Sequence, residues 1–409
     1  MKALAFATSP VARTIYPMRF LLAFAQGGLL SPLLPLFRET FHVSPGELGL
    51  LTSMAGLSSV VMDLVATALL RRRALPTLLL QGIGLTVVAL CCSMLAPGFY
   101  WLVATQMLLG FGVGLTRVAA LTVVVTATPL GEQGRANNLL ECSAIAGTML
   151  SPTLSGLLAA LVHWRLAFGM AAIMVSGAFG WLLYTRQSLA SAVEATTLRR
   201  APQRLDATGR EAPSEAPHSQ PSHTHVIWMA YSTTFVLSFV WSGFLSTAMP
   251  LFGGEVLHGS TAMLGLVFTI GLLADLLLLM PMGWLADRLE ARLVLTPAML
   301  LMAAALAYLP SANSLGGLFL VSIALHASFA AWGMPSAVLA LCVPREQLAR
   351  TMGLYRLLVD SAVVVAPWLV GTLIGLYGYG LPTWLSALGV GLMACLVWQG
   401  LRVPPRRAS

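Results

Sequence analysis

Six ionisable side chains stand where nearly every neighbour is apolar: Asp63, Arg117, Glu141, Asp275, His326 and Asp360. In a bilayer each would cost several kcal/mol, so each needs a partner or a task. A carboxyl group at low dielectric can gain or lose a proton as its access to water changes, which makes Asp275 and Asp360 candidates for proton coupling. Arg356 precedes Asp360 by four residues, on the same helical face, and Val363, Val364 and Val365 restrict water on the other side. His326 reads either as a third proton-handling group or as a hydrogen-bonded packing residue. Asp63, Arg117 and Glu141 read as a structural ion cluster, or as a site where Arg117 meets an anionic part of a substrate. Trp241 and Trp332, with Met249 and Met334, can form an adaptable apolar wall. No phosphate-cradling P-loop is present. The sequence predicts no enzyme, no cofactor and no metal centre, and His218, His223 and His225 read as solvated groups in a polar segment.

The elements that hold these residues must be membrane helices. Of 409 residues, 57% are hydrophobic and only 9% charged, where a soluble domain carries about 25% charged residues. So few charges cannot build a water-facing surface. Segments long enough for one crossing fall near 17–37, 46–70, 75–95, 99–128, 137–161 and 165–185, then near 226–252, 260–286, 293–311, 314–343, 350–376 and 380–402. Backbone groups in hydrocarbon must be satisfied within the segment, and nothing alternates like a barrel strand. The predicted fold is therefore all-α, with twelve transmembrane helices, here called spans 1 to 12. The net charge of +8 suits basic cytoplasmic loops. Nucleic acid is not an expected partner, because no soluble stretch is long enough to bind it. The five cysteines form no CxxC pair and read as small buried apolar groups.

All but three of the 23 basic residues fall on one side of a twelve-span arrangement, with Lys2, Arg13 and Arg19 placed ahead of span 1. The exceptions are Arg38, Arg165 and Arg117. That asymmetry predicts cytoplasmic termini. Residues 186–225, rich in Ala, Pro, Ser and Arg, read as a disordered cytoplasmic linker between bundles at 1–185 and 226–409. The bundles repeat. Pro35-Leu36-Phe37 recurs as Pro250-Leu251-Phe252, Arg135, Pro152 and Gly156 recur as Arg350, Pro367 and Gly371, and Leu48-Gly49-Leu50 recurs as Leu264-Gly265-Leu266. Repeats of this kind place the binding site between the halves, near the midplane.

After span 8 the sequence runs Gly283-Trp284-Leu285-Ala286-Asp287-Arg288, with Arg292 following. It resembles the GxLADRxGRR loop of the major facilitator superfamily, and the resemblance extends over nearly the whole chain. The equivalent loop of the first half departs from the pattern, with Arg71 at the Asp position and Arg72 at the Arg position. Span 4 carries Gln106 followed by Gly110, Gly112 and Gly114, which resembles RxxxGxGxG with Gln106 where Arg is usual. Span 5 carries Gly147, Ser151, Pro152, Ser155 and Gly156, which resembles the exporter-associated GxxxGPxxGG. Span 11, from Gly353 through Arg356 and Asp360 to Pro367 and Gly371, resembles its second-half counterpart.

The resemblance implies a major facilitator fold of two pseudo-symmetric six-helix bundles, similar to the twelve-helix drug and metabolite:proton antiporters. It implies gating roles for Gly283, Asp287, Arg288, Arg292, Gly147, Ser151, Pro152, Gly156 and Arg356. The expected function is proton-coupled export of a small organic compound by alternating access, as a monomer in the lipid bilayer of a bacterial inner membrane. Proton-coupled uptake on the same fold is the first alternative. A non-transporting membrane sensor or assembly partner is the second.

Overall fold

The structure, a computed structural model, describes residues 10–25, 28–70, 72–128, 133–200, 224–343 and 345–402. Among them every regular element is helical. Eleven helices are long and apolar enough to cross a membrane. Span 1 is the twelfth, and it is interrupted: Pro10–Ala23 is followed by turns, a short tight helix at Ser31–Leu33 and a last piece at Leu34–Phe41. Pro32 and Pro35 fall at the starts of these pieces, where a missing N–H costs nothing.

Spans 2 to 6 are Pro45–Leu69, Leu75–Met94, Phe99–Ala127, Gln133–Leu161 and Arg165–Arg200. Span 7 runs through Thr224–Phe239, a wide-turned π-helical stretch at Val240–Ala248, and Met249–Glu255. Pro250 explains the widened turn. It has no N–H to give the carbonyl four residues back and its ring crowds that turn. Hydroxyls fill in, with Thr247 Oγ1 donating to the Ser242 carbonyl at 3.1 Å and Ser246 Oγ to that of Trp241 at 3.2 Å. Spans 8 to 12 are Thr261–Arg288, Ala291–Tyr308, Leu315–Phe329 continued by Met334–Cys342, Arg345–Tyr377 and Gly380–Gly400.

Two expectations are corrected here. Span 1 begins at Pro10 rather than near 17, so Arg19 lies inside it and is 6% exposed. Hydropathy alone set the expected start too late, because Arg13, Thr14 and Arg19 broke the apolar run. Span 6 continues to Arg200, so the first part of the expected linker is helix. Its sequence there, rich in Ala, Arg and Leu and free of Gly and Pro, favours helix despite its polarity. Residues 201–223, with His218 and His223, lie outside the described residues.

Each half has its own apolar core. One face of the bundle carries Pro10 and Arg402; it is called the terminal face, and the opposite one the distal face. The repeat is visible in the backbone. His42 and His258 both turn left-handed at φ 53°, and Ser44 and Ser260 then cap spans 2 and 8 by accepting from the third N–H of each helix. Spans 2 and 11 pack together, as do spans 5 and 8, and these two seams join the halves.

Candidate functional site

The seams need bare backbone. A Cβ at Gly49 on span 2 would stand 2.6 Å from the Pro367 carbonyl carbon on span 11, and one at Gly265 on span 8 would stand 2.8 Å from that of Pro152 on span 5. Gly156 meets Thr261 and Gly371 meets Pro45 in the same mirrored way. Around them Thr261 Oγ1 donates to the Gly156 carbonyl at 2.8 Å, Thr153 to Thr269 Oγ1 at 2.7 Å, and Thr269 to the Met149 carbonyl at 2.7 Å. At the distal end Arg38 forms an ion pair with Glu255, joining spans 1 and 7, and Tyr379 donates to the same carboxylate at 2.7 Å. Leu251 of span 7 is buried in the core of the other half.

The terminal side has no such fastening. Gly283 and Gly353 face open space, and large apolar side chains such as Leu64, Leu277 and Met280 are exposed. Among the described residues no hydrogen bond or ion pair joins the halves there. The halves are sealed distally and part towards the terminal face. Gly283 therefore makes no close helix approach in this conformation. Arg288 lies 4.1 Å above the Trp284 ring, and Arg292 bonds Glu290 at 2.6 Å and lies over Trp398. Arg71 and the side chains of Arg135 and Asp287 fall outside the described residues.

Span 5 fixes the break in span 1. Gly147 lets the Phe20 backbone approach, and Ser151 Oγ donates 2.8 Å to the Phe24 carbonyl, one of the groups the break leaves open. Gly28 then rests on Pro152 and Thr148. On span 4, Gly110 and Gly114 admit span 2, and Gly112 admits span 3. Gln106 is buried and its Nε2 has no hydrogen-bond partner among the described residues.

Where the halves part, charges meet. Arg117 of span 4 forms an ion pair with Asp63 of span 2 and also donates to Ser59 Oγ at 3.2 Å. From the other half, Arg356 Nε donates to Asp360 Oδ2 at 3.1 Å along span 11. The two pairs act on each other electrostatically across the cleft. Glu141 is exposed on span 5 and joins neither pair, so the expected three-member cluster reduces to Arg117 and Asp63. Sequence reasoning missed Arg19, which is buried on span 1 within electrostatic reach of Glu141, Arg117 and Arg356.

A second, apolar region lies beside the break in span 1. A small pocket there is lined by Gly28, Thr148, Trp241, Leu245, Ser246, Phe268, Leu272 and His326. His326 Nδ1 donates 2.8 Å to the Ser322 carbonyl, and its ring meets Trp241 and Phe268 edge-on at 5.7 and 6.1 Å. Trp332 packs behind Trp241 at 6.3 Å. Met249 and Met334 are buried in the C-terminal core, against which Trp241 and Trp332 pack. Asp275 is buried on span 8 with no hydrogen bond or ion pair among the described residues. The cysteines differ from expectation, since none is fully buried and Cys91 and Cys395 are exposed.

The family model of the Major Facilitator Superfamily matches residues 18–263 and 230–409. The chain belongs to the Major Facilitator Superfamily. It is a multi-pass membrane transporter of that superfamily and not an enzyme. Over 146 residues it is 23% identical to an uncharacterized MFS-type transporter, YbcL, of Bacillus subtilis (strain 168), covering 36% of this chain and 37% of that one. Over 161 residues it is 27% identical to a multi-drug resistance efflux pump PmrA homolog of Lactococcus lactis subsp. lactis (strain IL1403), covering 36% of each. The matches thus span little more than a third of these relatives' length. In fold the chain is similar to a POT family transporter solved in complex with 5-aminolevulinic acid, with TM-score 0.74, 14% identity and 94% of each chain covered. It is likewise similar to peptide transporter POT solved in complex with sulfate, with TM-score 0.71, 13% identity and 96% of each chain covered. At these identities the likeness is one of superfamily fold.

Proposed function

We propose that this protein exports a small organic compound in exchange for protons, by alternating access of its two halves. The observation that carries the reading is the pair of ion pairs, Asp63–Arg117 and Arg356–Asp360, set on opposite halves where the halves separate. A proton arriving at Asp360 releases Arg356, and the released cation is then free to turn towards Asp63 and draw the halves together on the terminal side. Release of that proton restores the open arrangement. Asp275 is the second proton candidate, and His326 stands in the pocket wall as the third. Gly147, Ser151, Pro152 and Gly156 support export, since they form the exporter-like motif and here shape both the span 1 break and a seam. Similarity to an efflux pump homolog supports the same direction.

In this reading the terminal face is cytoplasmic, which the arginine asymmetry supports, the protein acts as a monomer in a bacterial inner membrane, and residues 201–223 link the bundles on the cytoplasmic side. Everted vesicles test the direction. Proton-driven accumulation of candidate compounds inside them is the expected result, and accumulation only in right-side-out vesicles would establish uptake instead. Asp360→Asn should leave substrate exchange intact while abolishing accumulation against a gradient. Full proton-driven transport by that variant removes Asp360 from the coupling scheme and leaves Asp275.

A further inference from the structure

Arg19 is the buried cation left over when Arg117 and Arg356 are paired. It sits on span 1 and is 6% exposed, and its Nη1 is buried with no hydrogen-bond partner among the described residues. The charges around it are those of Glu141, Arg117 and Arg356. Arg117 is held by Asp63 and Arg356 by Asp360. Glu141 is exposed and forms no ion pair among the described residues. Two of Arg19's three charged neighbours therefore repel it, and the third does not touch it. A buried cation without a contacting anion costs several kcal/mol, and a buried guanidinium needs acceptors as well as charge. Among the described residues no side chain supplies the complement.

The surroundings define what would supply it. A planar guanidinium takes a carboxylate or similar oxyanion through two parallel hydrogen bonds. Farther along span 1, past the end of the Pro10–Ala23 helix, Gly28 opens onto the pocket walled by Trp241, Phe268, Leu245 and Leu272. One end of the site is cationic and the other is aromatic and apolar. Resting on the transport reading above, we propose that Arg19 is the head-group subsite for the transported molecule, and that this molecule is an organic anion with a carboxylate-like head and an apolar body.

The test is binding to the purified full-length protein in detergent, read by thermal unfolding, with 2-naphthoate and its neutral isostere 2-naphthamide as probes. Naphthoate should raise the Tm saturably and naphthamide should not. Arg19→Lys should keep a weakened response. Arg19→Met should lower naphthoate affinity by about tenfold or more, the loss of a charge-assisted pair. It should also raise the Tm of the ligand-free protein, because an uncompensated buried charge is removed. A structural role would do the reverse, so a lower ligand-free Tm or failure of Arg19→Met to fold overturns the proposal. So does an equal response to the two probes, an unchanged response in Arg19→Met, or no naphthoate response. Chloride giving the same Arg19-dependent shift would show an inorganic anion site and overturn the organic assignment. Loss of gradient-driven transport in vesicles, with the naphthoate result intact, would sink the coupling scheme alone.

Discussion

Arg117 and Asp63 bond across spans 4 and 2 of the N-terminal half, whereas in the C-terminal half, among the described residues, Asp275 has no ion pair or hydrogen bond and His326 bonds only to its own helix. The seams that join these halves are nonetheless mirror images, Gly49 against Pro367 and Gly265 against Pro152. The two bundles therefore share the requirements of packing and differ in the chemistry those requirements leave free. Close helix approach constrains backbone and small residues, so both copies keep them. Nothing in the seam fixes which helix carries a charge, and the interiors have diverged. The N-terminal half presents paired ions and a buried Arg19 with no ion pair among the described residues; the C-terminal half presents an aromatic wall, with Arg356 and Asp360 facing across.

The symmetry of the seams is the easiest claim to break, and carries the largest effect. Gly265→Val and Gly49→Val each push a side chain into an opposing backbone carbonyl. Overpacking of about 3 kcal/mol falls on the distally sealed state alone, a shift of about 150-fold. Both variants should lose transport and lose cross-linking between cysteines placed at Thr153 and Thr269. If one variant is silent, the seams are not equivalent.

The contrast between the ion pairs comes next. Asp63→Asn strands Arg117, whose side chain is 27% exposed against 18% for Asp63. The expected loss is about 2–3 kcal/mol, below that of a fully buried pair because both partners keep some solvent. Arg356 is 46% exposed, so Asp360→Asn should cost no more than about 1 kcal/mol while removing coupling. Thermal unfolding of the two variants side by side measures the difference, and equal losses would erase the distinction between a structural and a working pair.

Much of this was legible in sequence. The repeat offsets located both seams, because glycine and proline are chosen by geometry that sequence displays directly. Arg356 and Asp360 were legible as an i,i+4 pair for the same reason. Arg19 was not, since a polar residue near the start of an apolar run looks like a flanking charge until the helix is seen to begin at Pro10. The Gly27-Gly28 pair is the sequence feature that marks the span 1 break. The link of Arg38, Glu255 and Tyr379 joins three distant segments that only tertiary structure brings together.

That distal link tests whether the seal is more than the two seams. Glu255→Gln removes the Arg38 ion pair and weakens the Tyr379 bond, about 2 kcal/mol in total. The sealed state should lose about thirtyfold in population, seen as faster maleimide labelling from the distal side of a cysteine placed at Ser246. Unchanged labelling would assign closure to the seams alone.

The smallest effect is at Tyr379. Tyr379→Phe keeps the ring, which meets Phe252 edge-on at 5.2 Å, and removes only the hydroxyl that donates to Glu255. About 1 kcal/mol should be lost, a shift of about fivefold in the same labelling assay. The pH dependence separates this bond from the ion pair beside it. Burial, and then the negative charge and hydrogen bond of Glu255, hold the Tyr379 hydroxyl well above the usual tyrosine range, with Arg38 acting the other way. A raised value in the folded protein means the contribution is fully present below the unfolded tyrosine value of about 10 and is lost only as pH climbs through the raised one. The gap between wild type and Tyr379→Phe should therefore stay constant from about pH 6 to about pH 9. A gap that closes within that range would mean the hydroxyl is ionising there, and that Tyr379 is not the donor holding Glu255 in place.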